Sequence, residues 1–125
     1  MIAYLDHVAI TVKNLNRSIE FYTKLGFSVV RRAETTTLNI AFVGSGLARL
    51  ELFELRKEAA KEVSQPKDNE IGVKHIAFHV DDIEGVVEEL KKKGVEFTTE
   101  IAKTGRRATI FFKDPDGTIL QLIQG

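Results

Sequence analysis

The chain contains no cysteine, and only two of its 125 residues are proline. Without cysteine it can form no disulfide, no thiolate metal site and no cysteine nucleophile. Positive and negative side chains are equal in number, 18 of each, so no overall charge favours nucleic acid or a membrane surface. The N-terminus lacks a signal-peptide pattern, and no segment approaches the roughly 18 apolar residues of a membrane span. We therefore expect a soluble, cytoplasmic protein that binds neither nucleic acid nor membranes.

Several common active-site signatures are also missing. The sequence has no glycine-rich phosphate loop, no serine in a nucleophile-elbow context and no zinc-finger spacing. Its length and 43% hydrophobic content are those of one ordinary domain. With balanced charge, any ligand must be recognised locally, and we expect it to be a small molecule.

The most informative feature is an internal repeat that includes a histidine and a Glu or Gln. The segment that begins at His7 returns 68 positions later at His75. Further along, Glu51 between two leucines returns 70 positions later as Gln121, again between leucines. Packing alone does not readily duplicate both polar positions, and these side chains are plausible metal ligands.

The first repeat, about 4–54, predicts one βαβββ unit. Asn14 can cap a helix whose apolar residues follow helical spacing until Gly26 ends it. Alternating apolar residues predict four strands, over 4–12, 28–32, 38–43 and 47–54.

The second repeat, about 73–124, predicts the same order of elements after a linker, about 55–72, which opens with a helical turn over 58–63. A helix begins at Asp82 and ends before Gly94. The strands are expected over 73–80, 96–100, 107–113 and 118–124. Strand, helix and three strands, twice, predict a single α+β domain built from two tandem βαβββ modules with mostly antiparallel sheets.

Strand alternation predicts which sheet face carries the polar residues. Val8, Ile10 and Val12 share one face, which leaves His7 on the other. The same reasoning separates His75 from the apolar face of its strand, and it separates Glu51 and Gln121 from the leucines beside them. All four polar side chains are expected on the face that does not meet the helices.

Imidazole nitrogen with carboxylate and amide oxygen suits Zn²⁺, Ni²⁺, Co²⁺, Fe²⁺ or Mn²⁺, and the sequence does not choose among them. One divalent ion per site would keep one or two positions for water or substrate. The alternative for each residue taken singly is structural. A strand histidine is more often hydrogen-bonded in the core, and an inward glutamate more often forms an ion pair, here with Arg49. The duplication favours the metal site.

Other polar residues are candidates for substrate contact. His79 lies about 13 Å from His75 along the strand, too far to share one ion, so we expect it in a pocket wall. Arg106 and Arg107 follow Gly105 in a loop that can hold an anionic substrate, and the alternative is a solvated cationic loop.

Five phrases carry a resemblance that covers nearly the whole chain. They are His7-Val8-Ala9-Ile10, Arg17 to Tyr22 with Leu25-Gly26-Phe27, Leu50-Glu51-Leu52, His75 to Val80, and Asp114-Pro115-Asp116-Gly117 followed by Leu120-Gln121-Leu122. The sequence thereby resembles the vicinal oxygen chelate superfamily, most closely its glyoxalase I-like members. That superfamily also holds methylmalonyl-CoA epimerase, fosfomycin- and bleomycin-resistance proteins and extradiol dioxygenases.

The resemblance implies a curved sheet cup, a homodimer and a metal site at the chain interface. His7 and Glu51 of one chain would then join His75 and Gln121 of the other. Bacterial glyoxalase I-like enzymes usually have Glu, their principal base, where this chain has Gln121, and Gln cannot carry a proton at neutral pH. Glu51 is therefore the expected catalytic residue. Thr11 and Leu55 stand where those enzymes bind glutathione through Arg and Asn, so Thr11 becomes a substrate-contact candidate and the thiol cosubstrate stays open.

The leading hypothesis is a metal-dependent glyoxalase I-like lyase or isomerase that moves a proton through a metal-stabilised enediolate. One alternative is a methylmalonyl-CoA epimerase-like enzyme, which uses the same charge stabilisation. The other is a non-catalytic drug-binding protein of bleomycin-resistance type. Members of that second kind often lose their metal ligands, so His7, Glu51 and His75 together count against it.

Overall fold

The computed structural model describes residues 1–56 and 70–125, and the helical turn predicted over 58–63 lies outside them. The chain divides into two compact units, Met1–Ser64 and Gln65–Gly125, whose boundary falls within the predicted linker. The interpretation of both as one domain stays a prediction. The first unit contains these elements: β1 (Val8–Val12), α1 (Leu15–Lys24), β2 (Ser28–Glu34), β3 (Leu38–Ser45) and β4 (Ala48–Leu55).

The first unit is a four-stranded sheet with one helix on one face. Its strand order is β1-β4-β3-β2, in which β1 runs parallel to β4 and the other pairs are antiparallel. The side chain of Asn14 accepts a hydrogen bond from the Arg17 N–H and so caps α1, as predicted. Tyr22 is fully buried between α1 and the sheet, with Leu52 at the same core. Gly26 ends the helix with a φ of 102°, which only glycine adopts easily.

The second unit repeats this arrangement. Its elements are β5 (Ile76–His79), α2 (Ile83–Lys92), β6 (Ala102–Thr104), β7 (Arg107–Lys113) and β8 (Ile119–Gln124). The strand order is β5-β8-β7-β6, with β5 parallel to β8. Asp82 accepts a hydrogen bond from the Gly85 N–H and caps α2. The α+β class with two tandem βαβββ modules is confirmed.

Three predicted strands differ from those observed. The strands expected over 4–12 and 73–80 begin only at Val8 and Ile76, because pairing with the neighbouring strand starts at those residues. The strand expected over 96–100 is wrong. That segment forms only an isolated bridge, from Phe97 to Phe112, and the edge strand lies farther along at Ala102–Thr104. Among the described residues, no helix has the length and apolar character needed to cross a membrane.

Each sheet also caps the helix that packs on it. The Leu15 N–H at the start of α1 donates a 2.7 Å hydrogen bond to Glu54 Oε2. The Ile83 N–H at the start of α2 donates an equal 2.7 Å bond to Gln124 Oε1. Glu54 also accepts a 3.0 Å bond from Asn39. Glu54 and Gln124 are thus a second Glu and Gln pair, 70 residues apart like Glu51 and Gln121. Their role is structural, because the first N–H groups of a helix have no partner within the helix.

Replacing Glu54 with alanine should destabilise the protein by about 1–3 kcal/mol, since two part-buried donors, on Leu15 and Asn39, would lose their acceptor. Glu54→Gln keeps an acceptor oxygen toward Leu15, as Gln124 does in the second unit, and should cost much less. Urea unfolding of both variants beside the wild type measures the difference. Equal stability of the alanine variant and the wild type would show that this cap contributes nothing.

Candidate functional site

In the first unit, His7 and Glu51 meet on the sheet face opposite α1, which we call the open face. Glu51 is the direct neighbour of Ala9 across β1 and β4, and His7 precedes Ala9 by two positions. The imidazole Nε2 lies 3.0 Å from Glu51 Oε2, and the two side chains are 39% and 14% exposed. The small side chain of Ala9 leaves room beside them. The structure therefore brings two of the predicted ligands into direct contact.

Asp6 orients the other side of the His7 ring. Its Oδ2 lies 2.8 Å from His7 Nδ1. The pKa of His7 is raised from its ordinary value of 6.5, first by the hydrogen bond to Asp6 and further by the nearby charge of Glu51, while desolvation acts the other way. A carboxylate on one ring nitrogen is also the usual companion of a metal-binding histidine, because it fixes the tautomer that leaves the other nitrogen free.

The Asp6→Asn substitution should lower the pKa of His7 in the metal-free protein toward its ordinary value, since the largest cause of the rise is removed. Protonated His7 stabilises the fold at pH values below its unfolded-state pKa, and this contribution disappears as the pH rises through the folded-state pKa. An NMR titration of the imidazole protons measures the change. An unaltered His7 pKa in the variant would contradict the assigned role of Asp6.

In the second unit, His75 and Gln121 occupy equivalent positions on the open face of their sheet. Gln121 is the direct neighbour of Ala77, and His75 precedes Ala77 by two positions. The edge of the His75 ring meets the ring of Phe111 at a centroid distance of 5.4 Å. Phe111 is in turn the direct neighbour of Gln121 across β7 and β8. Lys74, not a carboxylate, stands where Asp6 stands in the first unit.

The predicted substrate residues are more scattered. Thr11 is exposed on the open face of the first unit, in the row after Ala9 and Glu51. His79 is 64% exposed, and its Nε2 lies 3.1 Å from Asp81 Oδ1. Arg106 lies in the turn between β6 and β7, and Arg107 begins β7. These two arginines and His79 are therefore not gathered around His75 and Gln121, and their contact with substrate stays a prediction.

The donor pair of the first unit fits part of the ligand set of a divalent ion. Two donors bound at about 2.1 Å and at right angles to each other stand about 3.0 Å apart. The Nε2 of His7 and Oε2 of Glu51 are separated by that distance. Within residues 1–56 and 70–125, no three His, Cys, Asp or Glu side chains cluster tightly enough to hold an ion. Each unit thus offers two candidate donors.

Two kinds of residue on the open faces were not predicted. Phe42 and Phe111 stand directly beside Glu51 and Gln121, so each candidate donor has an aromatic wall. The sequence feature that could have predicted the position of Phe42 is the glycine turn between β3 and β4. The geometry of that turn sets which residue of β3 pairs with Glu51. The second kind of residue that was not predicted is Asp6. It is adjacent to His7 in the sequence, but its hydrogen bond to the His7 ring was not inferred.

These features define a protein of tandem βαβββ units that carries one histidine and one Glu or Gln on the open face of each sheet. The family model of the Glyoxalase/Bleomycin resistance protein/Dioxygenase superfamily matches residues 4–122. The chain belongs to this superfamily.

Relatives in the superfamily have different activities. The probable lactoylglutathione lyase of Vibrio cholerae serotype O1 is 36% identical over 94% of this chain and 88% of its own length. The mitochondrial methylmalonyl-CoA epimerase of Homo sapiens is 30% identical over 96% of this chain and 73% of its own. Among solved structures, the trypanothione-dependent glyoxalase I of Leishmania major has a TM-score of 0.75 and 31% identity, covering 98% and 87% of the two chains. These relatives share the superfamily with this chain, and their names indicate more than one reaction.

Proposed function

We propose that the protein is a metal-dependent lyase or isomerase of glyoxalase I type. The observation that carries this proposal is the contact between His7 Nε2 and Glu51 Oε2 on the open face of the first unit. Similarity to a probable lactoylglutathione lyase supports the reaction class. The substrate is a small molecule with two adjacent oxygen atoms.

The ligands would be His7 and Glu51 of one chain with His75 and Gln121 of the partner subunit, so that the active form is a homodimer with two sites. Support comes from the equivalent position of the two donor pairs in their sheets. A bound Zn²⁺, Ni²⁺, Co²⁺, Fe²⁺ or Mn²⁺ ion supplies Lewis-acid stabilisation of negative charge on the substrate oxygens.

Glu51 is assigned the proton transfer. Its carboxylate removes the proton from the substrate carbon next to a carbonyl group and returns it to the adjacent carbon, so the reaction needs no oxidant or reductant. Gln121 cannot take this role because an amide oxygen does not hold a proton at neutral pH. The half-buried ring of Phe42 beside Glu51 limits water at the carboxylate. The chain would thus run the reaction with one carboxylate.

The proposal is tested by turnover with thiohemiacetals of methylglyoxal made from several thiols, with each of the five metals supplied to the metal-free protein. Thioester formation is followed by its ultraviolet absorbance. Turnover above background with at least one metal and thiol is expected. A lack of turnover with every combination would overturn the proposal and leave an epimerase or a protein that binds small molecules without catalysis.

The second candidate function is epimerisation of a 2-substituted acyl thioester, favoured by the similarity to a methylmalonyl-CoA epimerase. Glu51 would again move a proton next to a carbonyl group. Exchange of the 2-hydrogen of such a thioester with deuterated water, measured by mass spectrometry, distinguishes epimerisation from the glyoxalase I-type reaction. Exchange without thiohemiacetal turnover would assign the protein to the epimerases.

A further inference from the structure

Arg31 lies on the open face of the first unit, and so does Arg49, which precedes Glu51 by two positions on β4. The guanidinium carbon of Arg31 lies 4.3 Å from the centre of the Phe42 ring. Arg31 is the direct neighbour of Phe42 across β2 and β3, and Phe42 is the direct neighbour of Glu51 across β3 and β4. One row of the sheet therefore contains Ala9, Glu51, Phe42 and Arg31. Adjacent strands are about 4.8 Å apart, so the guanidinium lies about 5 to 10 Å from the Glu51 carboxylate.

An irregularity in β2 places Arg31 on this face. Val29 pairs with Val43, and the pairing then shifts so that Arg31, not Val30, stands opposite Phe42. In a regular strand Arg31 would share the face of Val29, which is the face that meets α1. The extra residue, Val30, is 75% exposed. Such bulges are over-represented beside active sites, where they redirect a side chain.

The stacked guanidinium keeps its capacity to bind an anion. Stacking on a ring uses the face of the guanidinium and leaves its N–H groups, which lie in its plane, as donors. In the part of the chain that the structure describes, no carboxylate lies within ion-pair distance of Arg31. Phe42 holds the cation in one orientation, which reduces the entropy that binding an anion would cost.

Within residues 70–125 of the second unit, no cation stands at the position that matches Arg31. There the segment beside Phe111 contains Thr98 and Thr99, whose groups hydrogen-bond to the Phe111 backbone. The ring of Phe111 contacts His75 in place of a guanidinium. The two open faces therefore have equivalent candidate metal donors, and their cations stand at different positions, since Arg107 and Lys113 share the open face of β7 with Phe111.

We infer that Arg31 binds a carboxylate at the end of the substrate that is remote from the reacting carbons. This inference rests on the proposed function, since Arg31 selects among substrates held at His7 and Glu51. The substrate class is then a compound with two adjacent oxygens, linked by a short aliphatic chain to a carboxylate. The carboxylate would be carried by the thiol or by the acyl part of the substrate.

The test uses two inert ligands that differ in one charge, N-hydroxy-N-methylsuccinamate and its methyl ester. Each presents adjacent hydroxamate oxygens, and only the first ends in a carboxylate. Calorimetric titration into the zinc-loaded protein should show the acid binding about 10-fold or more tightly than the ester. Arg31→Gln should remove this preference and leave affinity for the ester unchanged. The matched controls are Arg32→Gln, because Arg32 pairs with Ala41 on the other face of the same strand, and Arg49→Gln, because Arg49 also lies on the open face.

Each result has a distinct meaning. Equal binding of acid and ester to the wild type would overturn the inference and leave the proposed function intact. Equal weakening of the acid by Arg31→Gln and by either control variant would also overturn it, since general electrostatics would then explain the preference. If neither ligand binds the wild type, the proposed site fails and the inference with it. Thermal unfolding of each variant confirms that it is folded.

Discussion

Replacing Glu51 with glutamine should lower kcat for thiohemiacetal isomerisation by about 10²- to 10⁴-fold, the usual contribution of a general acid–base residue. The change is nearly isosteric, so it keeps an oxygen beside His7 and removes the group that holds the proton. After the substitution both Glu or Gln positions of the repeat, 51 and 121, would be amides. Because neither amide accepts a proton at neutral pH, no group in the proposed ligand set could perform the transfer.

The matched control for this experiment is Glu54→Gln on the same strand. Glu54 faces the start of α1 and bonds to the Leu15 N–H, so its substitution should leave kcat unchanged. Metal affinity of the Glu51→Gln variant should fall far less than kcat, since an amide oxygen remains as a weaker donor. Full activity in Glu51→Gln would show that the base is another residue, and an equal loss in both variants would indicate a general structural effect.

Replacing His75 with alanine should weaken binding of Zn²⁺ or Ni²⁺ by more than about 100-fold. Loss of a group that merely orients a ligand typically costs 10- to 100-fold, and loss of the ligand itself should exceed that range. The proposed set has only four donors, and His75 is one of its two imidazoles. Competition with a chromophoric chelator measures the affinity of the wild type and the variant under the same conditions.

His79→Ala serves as the control for this measurement. His79 ends β5, four residues after His75, is 64% exposed and has Asp81 as its neighbour. Its replacement should leave metal affinity within about twofold of the wild type, because a residue at that distance along a strand cannot reach the same ion. Comparable losses in the two variants would show that the ion is bound nonspecifically by surface histidines.

The sequence predicted the helices and the faces of the strands well, for local physical reasons. Asn14 was predicted as a cap and Asp82 as the start of a helix, from residue type and position alone, and each accepts a capping hydrogen bond from a backbone N–H. Alternation placed Ile10 and Val12 on the buried face, where the structure has them at 8% and 2% exposure. Capping and alternation depend on a few neighbouring residues, so one sequence is enough to predict them.

Strand pairing was not predictable in the same way, because it depends on contacts between distant segments. The strand expected over 96–100 has the right composition, yet the ladder with β7 forms at Ala102–Thr104. The bulge at Val30 also has no local signal. It nevertheless decides that Arg31 stands beside Phe42 on the open face. The sequence alone therefore did not predict that Arg31 lies on the open face, and the proposed substrate class depends on that position.

The repeated Glu and Gln positions show why a sequence pattern needs the structure beside it. Glu51 with Gln121 and Glu54 with Gln124 recur at the same spacing of 70 residues. Glu54 and Gln124 cap helices, and only Glu51 contacts a histidine on an open face. Duplication alone is therefore consistent with a helix cap and with a metal ligand. What distinguishes Glu51 from Glu54 is its position on the open face and its contact with the imidazole of His7.

The most direct test of the proposed metal site is a crystal structure of the zinc-loaded protein with anomalous diffraction recorded on both sides of the zinc edge. We predict one strong anomalous peak per chain, about 2.1 Å from His7 Nε2 and from a Glu51 oxygen. The same peak should lie within bonding distance of a His75 nitrogen and the Gln121 amide oxygen of the partner subunit. A peak bound by other residues, or no peak at His7 and Glu51 in the presence of excess zinc, would contradict the account.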